Sequence, residues 1–204
     1  LAMKKYILFL TCTSLFSISC SSFLEEDPRD GLLGDNAYST LRRQRQMCIR
    51  DSYNCVGSYK DSEGLQGTGR GIYDLNTFTT DEAIMPTRGG DWYDGGFWQG
   101  LYLHQWGVNS DAILNTWEYL FQSIKLCNYS LEQIDHFSAT HTDKELPAYK
   151  AEVRALRAMF YYYAMDLFGR IPLLVTSDAA GAEMKQAERD KIFTFIVNEL
   201  QEAI

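Results

Sequence analysis

The sequence has no Cys-x-x-Cys pair, and none of its three histidines stands near a cysteine in metal-ligand spacing. A structural zinc site is therefore not expected. The five cysteines (Cys12, Cys20, Cys48, Cys55 and Cys127) are odd in number and give no simple disulfide framework. Basic charge is also short. Nineteen Lys and Arg face 27 Asp and Glu, for a net charge of −8. A phosphate binder needs a basic patch, so this balance argues against nucleic acid. It argues equally against a polybasic surface for anionic headgroups. No Gly-x-Ser-x-Gly, His-Glu-x-x-His, phosphate loop or EF-hand loop occurs.

Aromatic residues are plentiful: 13 Tyr, 11 Phe and 4 Trp among 204 residues. The length suits one domain with a core of its own. Flat rings either fill such a core or offer faces to the C–H side of a sugar.

Residues 1–19 have the layout of a secretory signal. Lys4-Lys5 is a short positive start, Tyr6 to Phe16 is apolar, and small residues lead to Cys20. Leu1-Ala2 read as translation upstream of a start at Met3. The apolar run is too short, and too interrupted by Thr and Ser, for a transmembrane helix. Loss of Lys4 and Lys5 with the leader takes the charge from −8 to −10. Ser17-Ile18-Ser19-Cys20 is similar to a bacterial lipobox, with Ser17 where Leu is usual. Cys20 is accordingly the expected lipidation site, and several acyl chains would anchor the protein stably. The alternative is ordinary cleavage beside an incidental cysteine.

Residues 42–52 do not fit their neighbours. Arg42, Arg43, Arg45 and Arg50 fall within nine residues of an acidic chain. The run Met47-Cys48-Ile49-Arg50-Asp51 resembles translated sequencing-adapter read-through, and no function is assigned to it. The competing reading is a basic patch for a partner.

Beyond the insert, residues 53–59 are expected to close a first helix. Residues 60–109 read as a long irregular Gly/Trp-rich segment. Ten of the 15 glycines lie between Gly64 and Gly107, a density that long helices do not tolerate. A loop of that length is usually functional. A long helix then starts at Ser110 or Asp111, with Ile113, Trp117, Leu120, Phe121, Ile124, Cys127, Leu131 and Ile134 in steps of three or four. Asn128 lies beside this stripe and reads as a satisfied buried amide. After a loop from His136 to Pro147, a second helix spans Tyr149 to Phe168, with Val153, Leu156, Phe160, Tyr163, Ala164 and Leu167 inward. Gly169 suits an αL stop and Pro172 prevents continuation. Ile171 to Val175 is a short extended run. Asp190 is the expected cap of a third helix burying Ile192, Phe195, Ile196, Leu200 and Ile204, so the chain reads as truncated within it. Helices joined this way pack antiparallel, and repeated pairs stack into a solenoid.

The stretch Glu152-Val153-Arg154-Ala155-Leu156-Arg157-Ala158-Met159-Phe160, followed by Tyr161 to Tyr163 and by Leu167-Phe168-Gly169-Arg170-Ile171-Pro172-Leu173, resembles the SusD/RagB hallmark. Cys20-Ser21-Ser22-Phe23-Leu24, with Glu25, Glu26, Asp27 and Pro28, resembles the opening of mature family members and the surface-export signal of Bacteroidetes lipoproteins. Asp81-Glu82 and Pro86-Thr87-Arg88-Gly89-Gly90-Asp91-Trp92-Tyr93-Asp94-Gly95-Gly96 resemble a segment near the sugar site of glycan-binding members. The likeness covers residues 20–204 apart from the insert. It implies a mainly α-helical superhelix of tetratricopeptide-type helix pairs, with the irregular region on one side. It also implies an outer-membrane lipoprotein that delivers glycan to a SusC-like TonB-dependent transporter. The same scaffold could carry peptide or another non-glycan nutrient.

Within that segment Trp92 is the first candidate for sugar stacking, with Asp91, Tyr93, Asp94 and Arg88 beside it; the alternative is that Trp92 packs the loop down. Asp81-Glu82 read as loop-ordering residues. Trp98 and Trp106 read as core or transporter-facing, and His104 as structural. Asp91 and Asp94 invite comparison with a glycosidase pair or a calcium site, but no second signature accompanies them. A surface hydrolase is thus the least favoured reading. No cofactor and no metal is expected.

Overall fold

The computed structural model describes residues 49–57, 64–65, 71–178 and 184–204. Six α-helices occur among them: α1 Arg50–Gly57, α2 Ile72–Phe78, α3 Phe97–Tyr102, α4 Asp111–Ser138, α5 Leu146–Phe168 and α6 Arg189–Glu202. A 3-10 turn, Asp94–Gly96, leads into α3. Among the described residues no strand forms beyond the isolated bridges Arg88–Asp91 and Pro172–Gln186. The leader, Cys20 and residues 42–48 lie outside the described residues. Of the arginine-rich run, Ile49 and Ser52 are described and buried, Ile49 in the core and Ser52 against Ser130 of α4.

α4, α5 and α6 form consecutive antiparallel hairpins. Arg157 of α5 meets Asn128 of α4; seven residues on along α4 and seven back along α5, Asp135 meets Lys150 at 2.6 Å. The α5–α6 register is fixed the same way. Arg157 pairs with Glu199, and three residues back Arg154 pairs with Glu202, three further on. Each partner pair runs in opposite directions; for α4 and α5 the short 139–145 connection favours this.

Several boundaries differ from the sequence reading. The α4–α5 connection is 139–145 rather than His136 to Pro147, because Pro147 sits in the first turn of α5, where its missing N–H is no loss. α5 is the central helix and buries two stripes. Tyr161, Arg157, Ala158 and Met165 are buried as well as Val153, Leu156, Phe160 and Ala164, while Tyr163 and Leu167 are only partly covered. Gly169 has the positive φ expected (72°), but its ψ of −86° lies outside the αL basin. The N-cap position of α6 is Glu188, with no side-chain capping bond, and Asp190 lies in the first turn. Its inward face holds Ile192, Ile196 and Glu199, and Leu200 and Ile204 are exposed. Position 199 turns toward Arg157, so position 200 turns away. The Gly-rich segment contains α2, the 3-10 turn and α3, all short, and it shares a small core with the start of α4 around Leu75, Trp98, Leu101 and Ala112.

Candidate functional site

The chain between α2 and α3 is shaped by three local devices. Arg88 and Asp91 exchange backbone hydrogen bonds, each 3.0 Å, across Gly89-Gly90, and Gly89 takes φ 64°. A positive φ at the first central residue fits a tight hairpin turn and favours glycine. Asp94 Oδ2 then accepts a 2.7 Å hydrogen bond from the Trp98 indole. The backbone N–H of Gly96 bonds to the Tyr93 carbonyl at 2.7 Å.

Between these fixed points the backbone is strained. Trp92 has φ 61° and Asp94 φ 43°. A bulky residue at positive φ is uncommon and costs of order 1–3 kcal/mol, which the surrounding bonds must offset. The result is a presented ring. Trp92 is 51% exposed and Tyr93 53% exposed. One edge of Trp92 leans on buried Trp98, with centroids 6.4 Å apart. Trp98 is wedged edge-on between Phe78 and Phe97. Core packing thus holds the second indole, and the second indole supports the first.

Arg88, Asp91, Trp92, Tyr93 and Asp94 are all exposed on this one loop. They are not equivalent. One Asp94 oxygen is committed to Trp98, so Asp94 positions the loop. Asp81 and Glu82 are exposed, and it is the Thr80 hydroxyl that bonds the Glu82 backbone N–H. His104 Nε2 lies 2.6 Å from the Thr79 carbonyl and ties α3 to the end of α2, a structural duty. Trp106 is partly exposed and meets His104 edge-on. It lines an open hollow of about 460 Å³ with Gly95, Gly96, Phe97 and Val108, next to the Trp92 loop.

A second cavity, about 550 Å³, lies between α4 and the segment after α5. Sequence reasoning did not find it. Trp117 and Phe121 face it side by side (centroids 4.4 Å), with Pro172, Leu174 and Met184 opposite. Their half-burial explains why the first turns of the α4 stripe are less covered than its remainder. None of the five loop candidates lines this cavity. Trp117 is braced edge-on by Phe168, and Asn128 at the cavity floor binds the Leu174 and Thr176 carbonyls at 2.9 and 3.1 Å. These groups hold the 172–178 segment in place. The presented ring at Trp92 is the better candidate for ligand contact.

Among the described residues no cluster of three or more His, Cys, Asp or Glu side chains could hold a metal ion. None of their helices is long and apolar enough to cross a membrane.

The stacked antiparallel helices carry a strained loop that presents an aromatic ring. The chain belongs to the SusD-like family, described as starch-binding and associating with the outer membrane, whose pattern matches residues 68–203. It is 28% identical to the starch-binding protein SusD of Bacteroides thetaiotaomicron, over 97% of this chain and 36% of the relative. A SusD-like protein from Bacteroides fragilis superposes with TM-score 0.64 at 18% identity, over 84% of this chain and 30% of that one. Surface glycan-binding protein A from Bacteroides fluxus superposes with TM-score 0.63 at 18% identity, over 81% and 33%. The chain therefore spans about a third of the length of these relatives.

Proposed function

We propose that this protein captures oligo- or polysaccharide at the cell surface and delivers it to a SusC-like TonB-dependent transporter. In this reading Cys20 is acylated and tethers the mature chain, from residue 20, to the outer membrane. The Trp92 ring stacks on the apolar face of a sugar, while Asp91, Tyr93 and Arg88 reach its hydroxyls. Asp94 shapes the loop through Trp98. The observation that carries the reading is a Trp held at positive φ with half its surface exposed, on a loop fixed at both ends. Family membership and the glycan-binding names of its relatives support it.

Binding without hydrolysis is the favoured chemistry. A glycosidase needs two carboxyl groups available across the scissile bond, and Asp94 already accepts from a buried indole. Affinity electrophoresis of the full-length protein against a panel of polysaccharides tests the proposal. Retardation by at least one glycan, with no reducing ends released, is expected. Release of sugar by the protein alone would establish the hydrolase reading instead.

A further inference from the structure

The segment that follows α5 is fixed as a wall over α4. Tyr161 donates its hydroxyl to the Leu174 carbonyl at 2.7 Å and accepts the Leu174 N–H at 2.8 Å. Asn128 donates to the Leu174 and Thr176 carbonyls. Glu132 of α4 accepts the Ser177 N–H at 2.7 Å, and the Ser177 hydroxyl as well. The Ala187 N–H bonds the Ile171 carbonyl at 2.9 Å and Pro172 bridges Gln186, so the chain near Met184 returns to the same wall. The cavity between this wall and α4 is therefore preformed. Its volume, about 550 Å³, lies within the roughly 300–1,000 Å³ usual for small-ligand sites.

The lining is divided in its chemistry. Inside, Trp117 and Phe121 form one side, and Pro172, Leu174 and Met184 the other. The Asn128 amide at the floor is already engaged: its nitrogen holds two carbonyls and its oxygen accepts from Arg157. An occupant must therefore present apolar surface in two directions. At the rim stand Glu118, Gln122 and Lys125, at helical spacing on α4, and Asp178 at the end of the wall, all exposed. Among the described residues, Glu118, Gln122 and Lys125 have no hydrogen-bond or ion-pair partner. A cation would meet Lys125 there, and an anion would meet Glu118 and Asp178. An alkyl chain would use none of the four. A neutral ring with apolar faces and a hydroxyl edge uses them all. Its C–H groups pack on both walls, while its hydroxyls donate to the carboxylates and accept from the lysine and the amide. A pyranose with every ring hydroxyl equatorial has this form, because each face then carries only C–H groups.

We propose that this cavity is a second sugar site, selective for a β-gluco-configured mono- or disaccharide. It adds a site to the glycan reading of the Trp92 loop and stands without it.

The test uses the full-length protein with isotope-labelled methionine methyls, titrated with methyl β-glucopyranoside. Met184 is 61% exposed on the cavity wall, and its signal is assigned by its loss in Met184→Leu. That signal is expected to shift saturably and to show nuclear Overhauser contacts with the sugar's ring protons. Methyl β-galactopyranoside should bind about fivefold more weakly or worse, since its one axial hydroxyl meets an apolar wall. The double variant Gln122→Ala/Lys125→Ala changes only exposed rim residues and should weaken the glucoside about fivefold or more, through two lost hydrogen bonds. A Met184 methyl unmoved by the glucoside would overturn the proposal, as would contacts from it to protein side chains that fill the cavity. Equal binding of the two sugars, or binding unchanged in the double variant, would do the same. Polysaccharide retardation reports on the Trp92 loop and the Met184 methyl on the cavity, so each reading can fail alone.

Discussion

Arg157 places Nε and Nη2 on the same oxygen of Glu199, at 2.8 and 2.6 Å, with both side chains buried. Its remaining nitrogen, Nη1, reaches Asn128 Oδ1 at 2.8 Å, and its guanidinium lies over the Phe195 ring. One residue thereby connects α4, α5 and α6. A buried charge stripped of its partner is costly, so Arg157→Ala is expected to lose about 3–5 kcal/mol. The paired replacement Arg157→Met/Glu199→Leu should recover most of that loss, since it leaves no orphan charge. Urea unfolding midpoints at unchanged slope measure both.

Alkaline pH should unfold the protein through buried phenols. Tyr161 donates to the Leu174 carbonyl at 2.7 Å and accepts from the Leu174 N–H at 2.8 Å. Burial raises its pKa from 10.0 to about 12. The folded value exceeds the unfolded one, so this stabilisation is complete below pH 10 and is lost as pH rises toward 12. Tyr119 is shifted in the same direction, also chiefly by burial. Denaturant midpoints measured across this range should fall, and fall less steeply in Tyr161→Phe.

The Asp94–Trp98 bond should govern loop order. Asp94→Ala leaves a buried indole N–H without its acceptor, at a cost of about 1–3 kcal/mol. Asp94→Asn keeps an acceptor and should cost less. Amide exchange over residues 86–98 should quicken in the first variant and stay near wild type in the second.

The long helices were legible because their burial is periodic. Leu120, Ile124, Cys127, Leu131 and Ile134 follow the stripe into the core. Asn128 was legible as a satisfied amide, though its partners, a guanidinium and two carbonyls, come from segments 29 to 48 residues away and no local pattern names them. Leu200 misled for a related reason. Apolar spacing pointed it inward, but Glu199 is drawn to Arg157, and an ion pair across helices leaves no trace in hydrophobic periodicity. At the loop, Trp92 was readable as a residue type among glycines and carboxylates. Its positive φ was not, because that strain is imposed by the Arg88–Asp91 turn and the Trp98 anchor together. The cavity beside Trp117 depends on the 172–178 segment folding back over α4, a tertiary event that apolar spacing along one helix does not encode.

Trp92→Gly tests most directly whether the Trp92 ring is the ligand-contact surface. Glycine accepts the φ of 61° without strain, which offsets part of the lost contact with Trp98, so the variant is expected to fold. Calorimetry on a glycan bound by the full-length wild type should show affinity reduced about tenfold or more, corresponding to about 1.4 kcal/mol or more of lost stacking. Affinity unchanged in a folded Trp92→Gly protein would contradict the account.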